Sequence, residues 1–286
     1  MTVTDLPRTR PAVPGVTSLL QRLRGPQPLV CGILNVTPDS FSDGGAFVDR
    51  DAAVARGLGM VAEGADLIDI GGESTRPGAR PPGVAEELDR VVPVVEALAA
   101  RVSVPLSVDT SRPEVMRAAV RAGAALVNDV RALRHPGAVG TAAELDVPVC
   151  LTHMPRPPHL MQRDPRYGDV LADVRAFLRA RIDACLEAGI RPEHLIVDPG
   201  FGFGKTLEHN LALLGSLRAF TELGAPIMVG LSRKAMLGRI TGRPVDRREA
   251  ASVAAALLAV QRGARIVRVH DVAPTVDALA VLEALG

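Results

Sequence analysis

The chain has no tryptophan and a single tyrosine, Tyr167. Single-stranded nucleic acid is usually held on stacked aromatic side chains in a basic groove. With a formal net charge of +1 and so few aromatics, neither half of that arrangement is present. The three cysteines, Cys31, Cys150 and Cys185, are odd in number and far apart. They exclude a disulfide framework and lack zinc-ligand spacing, the pattern of reduced thiols in a cytoplasm. No apolar run reaches membrane-spanning length. The segment 1–28 is rich in Pro and Arg and lacks the apolar core of a secretory signal. We read it as a flexible arm with one short helix near 18–23, and the protein as cytoplasmic. Asn35-Val36-Thr37 matches a glycosylation triplet, but without a secretory signal and with Pro38 behind it the match is fortuitous.

What is present is a repeat of pattern. At 286 residues and 47% hydrophobic content, the chain can bury one large core. From Leu29 onward, short unalternating apolar runs lie at 29–36, 65–72, 104–110, 125–130, 147–154, 194–200, 225–232 and 264–272. Such runs suit strands buried on both faces of a parallel sheet. Between them lie segments of helical period at 51–63, 85–100, 113–122, 138–145, 169–188, 207–223, 247–262 and 274–285. Most end in glycine before the next run, at Gly64, Gly123, Gly189, Gly224 and Gly263, which is C-cap chemistry. Eight such units predict a single-domain α/β fold, a (β/α)8 TIM barrel over 29–286. The alternative is an open doubly wound sheet, which would favour one glycine-rich turn after the first strand.

Every run instead ends in polar residues. In chain order these are Asn35, Asp69 with Glu73, Asp109, Asn128 with Asp129, His153, Asp198, Ser232-Arg233-Lys234, and Arg268 with His270 and Asp271. Buried polar groups cost free energy unless paired, so eight polar ends out of eight point to a shared polar cavity at the barrel's C-terminal face. Its charge is uneven. Carboxylates and amides come from the third, fourth and sixth strands, and cations from the last two, with Arg76 in the second loop. Phosphate sites in such barrels lie near the last strands, and guanidinium suits bidentate phosphate binding. This predicts a phosphorylated ligand held at Arg268 and His270. Its other end would carry donors read by Asp109, Asn128 and Asp198. Asp109 could instead cap the helix starting near Pro113, but Thr110 or Ser111 could do that equally well.

The turn-rich loops at 35–45 and 71–78 are candidate lids. The segment 198–206 ends like a phosphate-cradling loop, but Pro199 stands where the first glycine is required, which rejects that motif. Its glycines would let backbone approach a ligand or a neighbouring loop, with Lys205 facing solvent. His153 has no suitably spaced partner for a metal. His135, His159, His194 and His209 read as surface or cap residues.

The stretches GILNVTPDSFSDGG (32–45), DIGGESTRPGA (69–79), SVDTSRPEV (107–115), NDV (128–130), DPGFGFGKT (198–206), GLSRK (230–234) and RVHDV (268–272) together resemble the dihydropteroate synthase family of pterin-binding barrels. The resemblance runs in order from Leu29 to the end. It implies condensation of a pterin diphosphate with p-aminobenzoate in folate biosynthesis, with loss of diphosphate, and a sulfonamide target. It implies that Asp109, Asn128, Asp198 and Lys234 hold the pterin. Asn35, Thr75, Arg76, Arg268 and His270 would hold the diphosphate, with Asn35 also reaching Mg2+. Phe41, Pro77, Phe203, Lys234 and Ala235 would frame the p-aminobenzoate site. Lys234, Arg268 and His270 would act in catalysis, and Asp43 would stabilise a cation-like methylene once its loop closes. A homodimer through late helices is the family habit.

Two features depart from the family pattern. Ala235 stands where many members have Ser, and 155–167 is unusually rich in Pro and Arg. A pterin-binding methyltransferase would share the Asp and Asn positions but has no use for the Ser232-Arg233-Lys234 and Arg268-His270 cations. A non-catalytic pterin-binding protein would be expected to have lost the first two loops or the anion site.

Overall fold

Eight strands, one from each apolar run, form the centre of the molecule: β1 (Leu29–Asn35), β2 (Leu67–Gly71), β3 (Leu106–Asp109), β4 (Leu126–Asp129), β5 (Val149–Thr152), β6 (Leu195–Asp198), β7 (Ile227–Val229) and β8 (Ala264–Val269). The structure is a computed structural model, and it describes residues 13, 15–37, 46–73, 81–156 and 165–285. All neighbouring strands pair in parallel, and β8 pairs back to β1, closing the barrel. The open-sheet alternative is therefore excluded.

The outer ring follows from the helical periods: α2 (Ala46–Ala62), α3 (Val84–Ala99), α4 (Pro113–Ala122), α5 (Ala138–Leu145), α6 (Val170–Glu187), α7 (Leu207–Gly215), α8 (Ala235–Thr241), α9 (Glu249–Gln261) and α10 (Val272–Glu283). Gly64, Gly123, Gly189, Gly224 and Gly263 all adopt positive φ, as expected of helix ends that turn back into strands. Two helical readings needed correction. The segment 207–223 divides at Ser216 into α7 and a 3-10 turn, Leu217–Leu223. The short α8 was missed, because seven residues containing Gly238 are too few for a period to show.

The arm is also corrected over its described part. A helix α1 (Val16–Arg24) spans the residues expected near 18–23, and it is not loose. Leu19 and Leu23 sit in one buried cluster with Leu29, Cys31, Leu67, Leu126, Cys150, Ile196, Met228 and Ile266. These come from seven of the eight strands, so α1 stoppers the N-terminal end of the barrel. Burying each leucine contributes about 1.5–3 kcal/mol. Arg22 pairs with Asp66, and Arg265 donates to the carbonyl of Gln27 at 2.8 Å, which fastens the stopper at both sides.

The strand register sets up the opposite end. Asn35 pairs with Gly71, Gly71 with Asp109, and Asp109 with Asn128. Thr152 pairs with Asp198. The polar strand ends therefore lie around one rim. His194, read as a surface or cap residue, is instead buried at 1% exposure, with Nε2 2.6 Å from Arg191 Nη2.

Candidate active site

Arg268, near the end of β8, reaches across the barrel mouth. Its Nε donates to Asp69 Oδ2 at 2.5 Å and its Nη2 to Asp109 Oδ2 at 3.0 Å. Asp69 Oδ2 also accepts from Asn128 Nδ2 at 2.9 Å. One guanidinium thus joins groups from β2, β3 and β4. It balances one carboxylate, and burial of the pair pushes the Asp109 carboxyl up to about 8 against the pull of Arg268. Asp69 Oδ1 and Asn128 Oδ1 are buried and have no hydrogen-bond partner among the described residues. Orphaned acceptors of this kind await donors.

Asp198 ends β6. Its Oδ1 accepts from the Gly200 amide at 2.7 Å, and burial raises its pKa while that bond and Lys234 lower it. Lys234 follows β7, with its Nζ 4.2 Å from the centre of the Phe203 ring. Burial depresses the Lys234 amine to about 8, while Asp198 acts to raise it. Phe203 packs on Val130 and Met154. These two apolar residues escaped the sequence reading. The available signal was an apolar residue directly behind the polar end of β4 and of β5.

The last two strands meet at His270. Its Nδ1 lies 2.9 Å from Ser232 Oγ, and its amide donates to the same oxygen at 3.2 Å. Burial, then Arg268 and Arg233, depress the imidazole to about 4, so the ring is neutral at pH 7. Arg233 holds a positive φ of 58°, a conformation that costs energy for a side-chain residue. Its amide donates to Ser252 Oγ at 2.9 Å, its carbonyl accepts from Arg248 at 3.0 Å, and its guanidinium pairs with Asp271. These contacts fix the turn that places Ser232 beside His270 and Lys234 beside Phe203.

Asn35 ends β1 at the same rim and is partly buried. Ala235 opens α8 and is exposed. Phe41, Asp43, Thr75, Arg76 and Pro77 lie outside the described residues. So the structure brings together Asp109, Asn128, Asp198, Lys234, Phe203, Arg268 and His270, and adds Asp69 as the group that two of them share.

Several readings change. Thr110 and Ser111 do not cap α4 through their side chains, because Arg112 occupies the N-cap without a side-chain bond. Thr110 instead donates to the buried Glu87 at 2.5 Å, and Ser111 donates to Asp129. Asp129 is structural, accepting from the Arg131 and Leu133 amides at 2.8 and 2.7 Å. Glu73 is paired with Arg131 at 2.9 Å. Lys205 does not face solvent. It is 5% exposed, because its amine is enclosed by backbone carbonyls that sequence cannot display. His209 does cap α7, exchanging bonds with Thr206 at 3.2 Å each way. No group of three potential metal-ligating His, Cys, Asp or Glu side chains occurs among the described residues.

Residues 31–270 match the family described as pterin binding enzyme, and the chain belongs to that family. Within it, the chain is 52% identical over 257 residues to the dihydropteroate synthase of Haemophilus influenzae, covering 90% of this chain and 94% of that one. The Xanthomonas albilineans dihydropteroate synthase solved with 4-aminobenzoic acid is 57% identical, with a TM-score of 0.87 over 92% of this chain and 94% of that one. The same enzyme solved with 7,8-dihydropteroate is 55% identical, with a TM-score of 0.84 and the same coverage.

Proposed function

We infer that the protein condenses 6-hydroxymethyl-7,8-dihydropterin diphosphate with p-aminobenzoate, giving 7,8-dihydropteroate and diphosphate. One observation carries the reading. Arg268, of the cationic side, lies 3.0 Å from Asp109, of the acidic side, so both ends of a pterin diphosphate fit one mouth.

A pterin edge with adjacent N–H donors suits Asp109 and Asp198, and its ring can satisfy the orphaned Asn128 Oδ1. Lys234, with its amine depressed only to about 8, remains charged at pH 7 and holds a ring carbonyl or the arylamine's carboxylate. Phe203 forms the apolar wall of the arylamine subsite, beside the exposed Ala235. The diphosphate then draws Arg268 from its carboxylate partners and meets neutral His270 as a hydrogen-bond donor. In the reaction the methylene C–O bond breaks and its electron pair leaves on diphosphate. The arylamine nitrogen forms the C–N bond and loses its proton. Arg268 and His270 stabilise the departing charge. No protein nucleophile takes part.

Asn35 fits a single oxygen ligand to Mg2+, an ion that otherwise takes waters and phosphate oxygens. When bound, the ion would add positive charge at the leaving group. Asp43 near the methylene, Thr75 and Arg76 at the diphosphate, and Phe41 and Pro77 at the arylamine are roles that rest on the sequence motifs. The three buried free cysteines support a cytoplasmic enzyme; among the described residues no helix is long and apolar enough to cross a membrane. Ile240, Val245, Leu258 and Val281, all exposed on or beside the late helices, support a homodimer through that face.

The test is diphosphate release from purified protein. Release should require the pterin diphosphate, Mg2+ and p-aminobenzoate together, and a sulfonamide should compete with the arylamine. Pterin binding without turnover would reject the reading.

A further inference from the structure

Lys205 lies outside the groups used above, yet it is almost wholly buried, at 5% exposure. Its Nζ sits 2.8 Å from the Gly200 carbonyl, 3.0 Å from the Phe203 carbonyl, 3.4 Å from the His153 carbonyl and 2.9 Å from His153 Nδ1. Four acceptors surround an amine that has two protons when neutral and three when charged. Burial depresses the His153 imidazole to about 2, so the ring is neutral and its Nδ1 can accept. Burial depresses the Lys205 amine to about 7, while Asp198 acts to raise it, so the group is held here by its hydrogen bonds and not by a carboxylate in contact.

The cage ties two strand ends. His153 follows β5, and Gly200 to Lys205 form the loop between β6 and α7. The loop approaches so closely that a Cβ on Gly200, at φ 72°, would stand 2.0 Å from the His153 carbonyl oxygen. Tyr167 donates to the neighbouring Gly204 carbonyl at 2.9 Å. In the middle of this loop, Phe203 hangs over Lys234 Nζ at 4.2 Å, and Gly202 leaves room for the Lys234 stem, 3.1 Å from where a Cβ would be.

We propose that Lys205 is a positioning residue: its amine clamps the loop after β6 to the end of β5 and thereby sets Phe203 against Lys234 as the wall of the arylamine subsite. This rests on the reading of Phe203 and Lys234 as arylamine-binding groups. A clamp of this kind acts mainly on one substrate, since its pterin-side contacts are only Asp198, through the Gly200 amide, and Lys234, through Phe203. Loosening it displaces Phe203, which weakens arylamine binding, and leaves Asp109, Asn128 and Arg268 in place for the pterin diphosphate.

The experiment measures KM for p-aminobenzoate and for the pterin diphosphate separately in Lys205→Met, Lys205→Arg and Phe203→Leu. Lys205→Met should raise the p-aminobenzoate KM about tenfold and leave the pterin diphosphate KM within about twofold. Lys205→Arg, which keeps hydrogen-bond donors, should recover part of the loss. Lys205→Met combined with Phe203→Leu should be no worse for the arylamine than the more impaired single variant. Should Lys205→Met yield no folded protein, Lys205→Gln takes its place with the same expected selectivity. A lowered melting temperature or kcat with both KM values unchanged would assign Lys205 to stability alone and overturn the proposal. Strictly multiplicative KM effects in the double variant would overturn it too. If Phe203→Leu leaves the arylamine KM unchanged, the arylamine reading of Phe203 is what fails; if Phe203→Leu raises it and Lys205→Met does not, the clamp alone fails.

Discussion

Replacing Arg268 with methionine should destabilise the fold in a way that acid relieves. The guanidinium is 19% exposed and bonds Asp69 at 2.5 Å and Asp109 at 3.0 Å. Burial lifts the Asp109 carboxyl to about 8. A group raised in this way contributes most stability below its unfolded pKa and loses that contribution as pH rises toward its folded pKa. A unit or more below pH 8 Asp109 is therefore largely neutral with or without Arg268, and its effect nearly cancels between wild type and variant. The carboxylate that Arg268 balances does not cancel. Removing one partner of a buried pair costs about 3–5 kcal/mol. In a chain of this size each kcal/mol moves the melting temperature by roughly 2–4 °C. Arg268→Met should thus melt roughly 6–20 °C below wild type at pH 7, and between pH 7 and 9 the gap should widen as pH rises through about 8, where Asp109 ionises and only wild type has Arg268 to pair with it. Differential scanning calorimetry across that range measures it. An unchanged melting temperature would show that the ion pairs carry no net stability. A gap that does not vary with pH would assign the loss to packing.

His270, depressed to about 4 by burial and neighbouring cations, should show no imidazole titration between pH 8 and 5 in ligand-free protein; proton NMR with His270→Gln for assignment checks this, and a midpoint near 6.5 contradicts it. Because its folded pKa lies below the unfolded value, that ring costs stability as pH falls through about 6.5. Cys31, Cys150 and Cys185 are all buried free thiols whose pKa values burial raises, so a thiol-reactive dye should label none in native protein and all three after denaturation. Rapid labelling of Cys31 or Cys150 in the native state would show that the stoppered end of the barrel, where both are buried, opens. Leu19→Ala removes the main plug of that end and should cost about 2–5 kcal/mol; thermal melting reads the loss, and an unchanged melting temperature would mean α1 is a dispensable appendage.

Much of the fold was legible because each strand announces itself twice. Its apolar run marks the buried part, and the polar residue that follows marks where burial ends, as at Asp109, Asn128 and Asp198. Glycines at Gly64, Gly123 and Gly263 mark helix ends, since the left-handed turn they need is a property of the residue itself. What stayed hidden depends on partners distant in sequence. The cage around Lys205 is largely backbone carbonyl, which carries no residue signature. Asp69 was visible as a strand end, but its sharing between Asn128 and Arg268 follows from barrel closure. Asp129 looks like Asn128 in sequence, and only the path of the next turn turns it away from the mouth to bind amides. The plugging role of α1 required knowing that seven strands leave an apolar opening beneath them.

The account depends on the acidic rim of β3, β4 and β6 and the cations of β7 and β8 gripping two ends of one ligand. Calorimetric titration of the pterin diphosphate, the free pterin and inorganic diphosphate into wild type, Asp198→Asn and His270→Gln tests this directly. Loss of a hydrogen bond to a charged group is worth about 1.5–3 kcal/mol, or roughly 10–150-fold in Kd. Both substitutions should weaken the pterin diphosphate by that order, whereas Asp198→Asn should weaken only the free pterin and His270→Gln only inorganic diphosphate. A pterin diphosphate whose affinity responds to one substitution and ignores the other would contradict a common mouth.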